Sequence, residues 1–238
     1  MIDAQTALEA IGQLPDSEID LAGAAIQLGR AIDPDADWTA AQTHLSELAR
    51  DAVTAAGALE DSDIGGRARA LRHILVKTHG YEGDAVTYDD LANANLIHVI
   101  QRRQGLPVAL GILWIHTAQA AGWSAHGIDF PSHFLIGLAG RKAQVVMDPF
   151  SGGASLDSDD LKTLYRTIIG EHAKPPPGIL RPMPRRAILL RLQNNIRSRQ
   201  LQNGHLRAAL TTTETMVAIA PDNTTLQEEA TELRARLN

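Results

Sequence analysis

The stretch GLPVALGILWIHTAQAAG, at residues 105–122, carries the strongest fold signal in the chain. It is apolar nearly all round, which is typical of a helix buried at the centre of a domain. Pro107 suits the first turn of a helix, where a missing N–H costs nothing, and Gly122 suits the residue after the end. We therefore predict a central buried helix that begins at Pro107 and stops before Gly122.

Three short β-type runs follow this helix. They read SAHGIDF, HFLIGL and AQVVMDPF, at residues 124–130, 133–138 and 143–150. Their length and their β-branched and aromatic residues are typical of strands. Short consecutive strands after a buried helix favour a small antiparallel sheet packed on that helix. The predicted fold class is α+β.

Helical patterns flank this core on both sides. Apolar residues recur every three or four positions through about the first eighty residues, and again after residue 185. Between the core and the tail, the run AKPPPGILRPMP is too rich in proline for regular structure and indicates a linker. We predict a domain at residues 1–174 with a helical N-terminal part, a Pro-rich linker at 175–184, and an all-α helical tail at 185–238.

Charge is segregated along the chain, although the formal net charge is only -6. Residues 1–66 hold thirteen Asp and Glu against two Arg, whereas eight Lys and Arg and no acid lie between Glu171 and Glu214. The basic stretch has no Phe, Tyr or Trp to stack on bases, which argues against a nucleic-acid surface. We expect the acidic head and the basic tail to meet instead, within one molecule or across a homodimer.

The composition also limits the chemistry. With no cysteine, the chain has no disulfide, no thiolate metal site and no thiol nucleophile. The histidines His116, His126 and His133, even with Asp148, lack the spacing of common metal motifs, so no metal or other cofactor is expected. No run of apolar residues is long enough to span a membrane, and Asp3 does not suit a signal peptide. We expect a cytoplasmic protein without membrane contact.

His133 opens the second β-type run and Asp148 lies near the end of the third. A two-residue turn at Gly140-Arg141 would pair them directly on one face of the sheet, within hydrogen-bond reach. A carboxylate bonded to a histidine fixes its tautomer and stabilises its cation, as in the base half of a nucleophilic triad. A polar pair that only ties two strands together fits the pattern equally well.

The third member of such a triad belongs at a helix N-terminus. There the helix lowers the pKa of a thiol and supplies backbone donors for an oxyanion. The helix that begins at Pro107 is the candidate, but its first turn, through Leu110, holds no side chain able to attack a carbonyl.

Three motifs occur in order along the chain: RRQGLP at residues 102–107, FPSHFL at 130–135 and DPFSGG at 148–153. Together with the acidic head and the helical tail, they resemble the SirB-type transglutaminase-like family over nearly the whole chain. The resemblance implies a papain-like transglutaminase core with Cys, His and Asp in that chain order. It also implies a tetratricopeptide-like tail.

On this resemblance His133 takes the histidine position and Asp148 the aspartate position. Ala109 stands where active members carry cysteine. Because alanine cannot attack a carbonyl, the resemblance implies a vestigial dyad beside a lost nucleophile position.

These features favour a non-catalytic scaffold or regulatory protein that binds a protein partner. The alternative is a hydrolase in which His133 and Asp148 act as a general base without a cysteine nucleophile. A third hypothesis is an adaptor that uses only its charge-segregated surfaces. A pH-dependent rate that His133→Ala removes would favour the hydrolase.

Overall fold

The computed structural model describes residues 3–60, 63–141 and 143–237. Its N-terminal part is helical. The helices are α1 (Ala4–Gly12), α2 (Leu21–Ile32), α3 (Trp38–Ala56) and α4 (Ile64–Arg72), the last continued by a π-helical segment, His73–Thr78. An aspartate precedes each α-helix and accepts a backbone N–H of its first turn: Asp3, Asp20, Asp37 and Asp63. These caps bond donors that have no partner within the helix.

The central helix is α6 (Pro107–Ala120), which follows α5 (Leu96–Arg102). Pro107 occupies its first position, and Gly122 just beyond its end has a φ of 72°, so the predicted start and stop are confirmed. Ten of its residues are buried. Although α6 is apolar, neither it nor any other helix of the described ranges has the length and hydrophobicity that crossing a bilayer requires.

Two sheets lie against α6. A parallel pair joins β1 (Glu82–Gly83) to β2 (Gln104–Gly105). The larger sheet contains β3 (Ser124–Phe130), β4 (His133–Ala139), β5 (Gln144–Asp148) and β6 (Ala154–Leu156). Its strands are antiparallel and lie in chain order. The predicted α+β class, with a small antiparallel sheet on a central helix, is confirmed.

The larger sheet is covered on both faces. On one face, Phe134 and Ile136 join the main core around α6. On the other, Leu135 packs in a second cluster with Leu161 of α7 (Ser158–Ile169). Successive residues of β4 therefore point alternately into the two clusters.

The hairpin between β4 and β5 is longer than predicted. Ala139 pairs with Gln144, which leaves four residues between the strands instead of two. The N–H of Gly140 donates to the carbonyl of Ala143 at 2.8 Å and closes this turn. A Cβ on Gly140 would lie 3.1 Å from Cδ1 of Ile64, so the turn packs closely on α4.

The longer turn shifts the strand register by two residues. Ile136 pairs with Met147, and the same register places Asp148 opposite Leu135 rather than opposite His133. The predicted direct pairing is therefore wrong. A shift of two keeps the same face of the strand but moves the side chains apart diagonally.

The tail consists of three helices, α8 (Arg185–Gln202), α9 (Leu206–Ile219) and α10 (Thr224–Leu237). Helix α8 is part of the main core, to which it contributes Ile188, Leu189, Leu192 and Ile196. Helix α9 packs against α1 at the other end of the chain. One hydrophobic core thus contains residues from both sides of the predicted linker. The division of the chain into three parts stays a prediction.

The predicted linker lies along β3. The N–H of Met183 donates to the carbonyl of Gly127 at 2.8 Å, and Pro182 forms an isolated bridge with Ile128. The proline-rich run therefore has fixed contacts with the sheet, although it contains no helix or strand of its own.

The acidic head and the basic tail meet at Asp16. Its carboxylate accepts the N–H groups of Arg185 and Arg186, at 2.9 and 2.8 Å, and so caps α8 from a distant part of the chain. A negative charge at this helix start also complements the helix dipole. The expected contact occurs here within one molecule, and the homodimer stays a prediction.

Candidate functional site

Ala109 lies in the first turn of α6, two residues after Pro107. Its side chain is 0% exposed and belongs to the main core. The segment that enters the helix is fixed by Leu106, whose N–H donates to the carbonyl of Asn93 at 2.9 Å. Residue 109 thus lies at the start of the helix, as predicted, but in a position that solvent does not reach.

The Asp148 carboxylate caps the loop that follows it. Oδ1 accepts the N–H groups of Phe150 and Ser151 at 2.9 and 3.3 Å, and Oδ2 accepts the Ser151 hydroxyl at 2.7 Å. In the same loop, Gly153 has a φ of 71°, and a Cβ there would lie 2.1 Å from the ring of Trp114. The DPFSGG motif therefore forms a tight loop against α6, and both oxygens of its aspartate are engaged within it.

His133 lies at the first position of β4, with Nδ1 3.3 Å from the carbonyl oxygen of Pro131. The backbone carbonyl of His133 accepts Nη2 of Arg191 at 2.9 Å, and the same guanidinium pairs with Asp129. Arg191 belongs to α8, so these bonds fasten α8 to the start of β4. The imidazole has no carboxylate partner among the residues that the structure describes.

The structure does not join the three predicted site residues. Within the described ranges His133 and Asp148 share no hydrogen bond. The prediction of a direct hydrogen bond between them is therefore wrong. Phe134 faces α6, because a Cβ on Gly111 would lie 2.3 Å from its ring. By strand alternation His133 then points to the opposite face, away from Ala109. Their assignment as a vestigial dyad and a lost nucleophile position stays a prediction.

The sequence of this fold matches a known protein family. Residues 39–194, more than half of the chain, match the model of the transglutaminase-like superfamily. The chain belongs to the transglutaminase-like superfamily. The matched region begins in α3 and ends in α8, so it contains all three predicted site residues.

Several relatives share parts of this transglutaminase-like chain. A UPF0162 protein of Xylella fastidiosa is 36% identical over 132 residues, which are 54% of this chain and 47% of the relative. A UPF0162 protein of Vibrio cholerae is 28% identical over 210 residues, 86% of this chain and 75% of the relative. Human F-box only protein 21 is 26% identical over 111 residues, 43% of this chain and 17% of the relative. The similarity thus spans about half the length of the Xylella relative, and no solved structure matches the chain.

The transglutaminase-like domain contains a buried carboxylate, Asp84, that sequence reasoning missed. It accepts the N–H groups of Val86 and Thr87 at 3.0 and 2.7 Å, the Thr87 hydroxyl, and the side-chain amide of Asn93 at 3.1 Å. Arg102 of α5 forms an ion pair with it at 3.2 Å. Hydrogen bonds from Thr87, and weaker ones from Asn93 and Val86, lower the pKa of Asp84 to about 2. They outweigh the effect of burial, which raises this pKa. This carboxylate organises the loop at residues 84–90.

We expect Asp84→Asn to destabilise the domain at neutral pH, because the amide places an NH₂ group against donors that need an acceptor. The folded-state pKa of about 2 lies below the reference of 3.8, so the ionised form stabilises the fold above about pH 4. That contribution is lost as the pH falls from about 4 through 2. Urea midpoints should therefore differ most between wild type and variant at pH 7 and converge towards pH 2. Asp159→Asn, at an exposed acid, is the control, and a difference that does not change with pH would contradict the assignment.

Helix α8 also reaches this loop. Arg199 donates to the carbonyl of Tyr88 at 3.2 Å and pairs with Asp89 at 3.1 Å. The Tyr88 ring lies 5.9 Å from that of Phe150 in the loop after β5. Helix α8 is thus bonded to β4 through Arg191 and, in its last turn, to the 84–90 loop through Arg199.

A second polar cluster lies around Arg103, which has a left-handed φ of 60° after α5. Its guanidinium donates to the Tyr81 hydroxyl at 2.7 Å and to Nε2 of His44 at 2.5 Å. Burial raises the pKa of Tyr81 to about 12 and lowers the pKa of His44. Neutral His44 is the form that accepts from an arginine, while its Nδ1 donates to Glu47 at 2.7 Å. These bonds tie α3 to the end of α5.

Proposed function

We propose that this chain is a non-catalytic transglutaminase-like protein that serves as a scaffold or regulatory protein for a protein partner. A SirB-type relationship, a tetratricopeptide-like tail and a cytoplasmic location are parts of the same proposal. The observation that carries it is Ala109. The resemblance assigns the nucleophile to residue 109, whose side chain is a methyl group. That methyl group is fully buried in the main core.

The bonds of Asp148 add support. A carboxylate that orients a catalytic histidine accepts a hydrogen bond from the imidazole. The Asp148 oxygens instead accept bonds from Phe150 and Ser151, within their own loop. These hydrogen bonds favour a structural role for Asp148, in holding the loop that follows it.

The hydrolase alternative has less support. A histidine that activates water without a nucleophile still gains from a carboxylate that stabilises its cation. His133 bonds to the backbone carbonyl of Pro131 and not to Asp148. The contacts around His133 favour a role in fixing the start of β4.

We expect the purified chain to transfer no acyl group from a glutamine peptide to a fluorescent amine, and to hydrolyse none. No side chain at residue 109 can form the acyl intermediate. The measurement is product formation between pH 5 and 9, with His133→Ala as the matched control. A rate in the wild type with an inflection that His133→Ala removes would establish the hydrolase and overturn the proposal.

A further inference from the structure

A cluster of polar side chains joins α3 to the segment after the π-helical turn and to the end of α5. At its centre is the imidazole of His44, a residue that is 6% exposed. Nε2 of His44 accepts from the Arg103 guanidinium at 2.5 Å, and Nδ1 lies 2.7 Å from the Glu47 carboxylate. The ring of His79 lies edge-on to that of His44, 5.0 Å away between centroids. These four residues, together with Tyr81, form the His44 cluster.

Two uncommon backbone conformations meet at the His44 cluster. The π-helical segment His73–Thr78 ends directly before His79, and π-helical turns occur often at functional sites. Arg103 has a left-handed φ of 60°, which is costly for a residue other than glycine. The bonds of its guanidinium to His44 and to the Tyr81 hydroxyl therefore help to hold a strained residue.

The groups that face His44 come from every element packed around it. Those that are titratable or charged are Glu47 of α3, His79 after the π-helical segment, Tyr81 before β1 and Arg103 after α5. Asp51 of α3 is bonded to Nε2 of His79 at 2.6 Å. From α6, Nε2 of His116 lies 3.1 Å from the carbonyl oxygen of Leu45, beside His44 in the chain. Among the described residues, Glu47 is thus the carboxylate bonded to His44, against one arginine and a second imidazole.

A protonated His44 cannot keep its bond to Arg103. Both nitrogens of an imidazolium carry a hydrogen, so Nε2 no longer accepts from the guanidinium. Protonation also places two cations against each other, and this repulsion is stronger in buried surroundings than in water. Burial lowers the pKa of His44, the bond to Glu47 opposes this shift, and the charge of Arg103 adds to it. The neutral imidazole is therefore the form that holds α3 to the end of α5.

The backbone of Arg103 connects the His44 cluster to the smaller sheet. Its carbonyl accepts the N–H of Glu82 at 3.0 Å, which is a bond of the β1–β2 pair. In the next bond along this pair, the N–H of Asp84 donates to the carbonyl of Gly105 at 3.3 Å. Because Asp84 begins the 84–90 loop, a displacement of Arg103 reaches that loop through two backbone bonds.

We propose that the His44 cluster is a pH-sensitive latch, in which protonation of His44 releases Arg103 and opens the β1–β2 pair beside the 84–90 loop. The folded-state pKa of His44 lies below the reference of 6.5, so the neutral form stabilises the closed latch. This stabilisation is fully present above about pH 6.5 and is lost as the pH falls through the folded-state pKa. The inference goes beyond the proposed function and does not depend on whether the chain has an activity.

Hydrogen exchange of the Glu82 amide measures the opening of the latch. We compare its protection at about pH 7.5 and about pH 4.5, each corrected for the intrinsic exchange rate; the lower pH is still above the range in which Asp84 titrates. The opening equilibrium at Glu82 should rise at least about tenfold at the lower pH, since a hydrogen bond to a charged group is worth at least that factor. The Met183 amide, bonded to the carbonyl of Gly127 in the linker, is the internal control and should change much less.

His44→Gln is the matched variant. A glutamine amide can accept from Arg103 and donate to Glu47, but it takes up no proton in this range. Exchange at Glu82 should therefore be equally slow at both pH values in this variant. His205→Gln removes an exposed imidazole and should keep the response of the wild type.

A nuclear magnetic resonance titration of the wild-type histidines tests the latch without any substitution that could unfold the domain. The His44 resonance should titrate with a midpoint below 6.5. A midpoint at or above 6.5 would overturn the inference, as would equal protection of Glu82 at the two pH values. A rise in opening that Met183 shares in full, or that persists in folded His44→Gln, would show a general effect of acid and would overturn it too.

Discussion

A cysteine introduced at Ala109 should react with iodoacetamide at least about a hundredfold more slowly than one introduced at Val86. Ala109 is 0% exposed, whereas Val86, in the 84–90 loop, is 95% exposed. Because the native chain has no cysteine, each variant carries a single thiol and the comparison has no background. Alkylation at residue 109 must wait for the domain to open, whereas a thiol at residue 86 reacts at once.

Two effects oppose each other at residue 109. The start of α6 lowers the pKa of a thiol, and burial in apolar surroundings raises it and excludes the reagent. Full burial decides the outcome, because a thiolate that the reagent cannot reach does not react. The added sulfur overpacks the core by about 1–3 kcal/mol, so the denaturation midpoint of Ala109→Cys must be measured beside its reactivity.

The control combines Ala109→Cys with His133→Ala. Since His133 points to the other face of the sheet by strand alternation, removing the imidazole should leave the slow rate unchanged. Rapid alkylation of Ala109→Cys near neutral pH, slowed by His133→Ala, would instead show a preformed triad geometry. That result would remove the main support for a non-catalytic role.

The parts of the fold that could be predicted have local signals. Pro107 and Gly122 mark the ends of α6 because each suits a backbone geometry that the residue type itself favours. Asp37 caps α3 for the same kind of reason. In each case the residue and the structure that it stabilises lie within one helix turn.

The strand register could not be predicted in this way. A glycine at residue 140 suits a two-residue turn, but the turn has four residues and packs on Ile64 of α4. That contact joins residues far apart in sequence, so the turn residues do not report it. The observed register differs from the predicted one by two positions, so His133 is not opposite Asp148. The predicted site depended on that pairing.

Asp84 illustrates a different limit. In sequence it is one of several acids in a polar loop, and nothing distinguishes it from an exposed turn residue. Its burial depends on Asn93 and on Arg102 of α5, which approach it only in the fold. The ion pair joins this loop to Arg102, the last residue of α5.

Leu192→Ala should lower the free energy of unfolding by about 2–5 kcal/mol, the usual cost of emptying a well-packed core position. Leu192 of α8 is 0% exposed and lies in the same core as α6. Leu201→Ala is the matched control, because Leu201 is on the same helix but 38% exposed. Its loss should stay within about 1 kcal/mol. Urea denaturation of the two variants measures the difference.

The same experiment tests the three-part division of the chain. All three tryptophans precede the tail, and Trp114 and Trp123 lie in the main core, so tryptophan fluorescence reports on that core. If α8 completes the core, Leu192→Ala should shift the fluorescence midpoint and the circular dichroism midpoint together, in one cooperative transition. An unchanged fluorescence midpoint with early loss of helical signal would show that residues 185–238 unfold on their own. A chain cut at residue 184 would then keep its fold, whereas a shared core predicts that it does not.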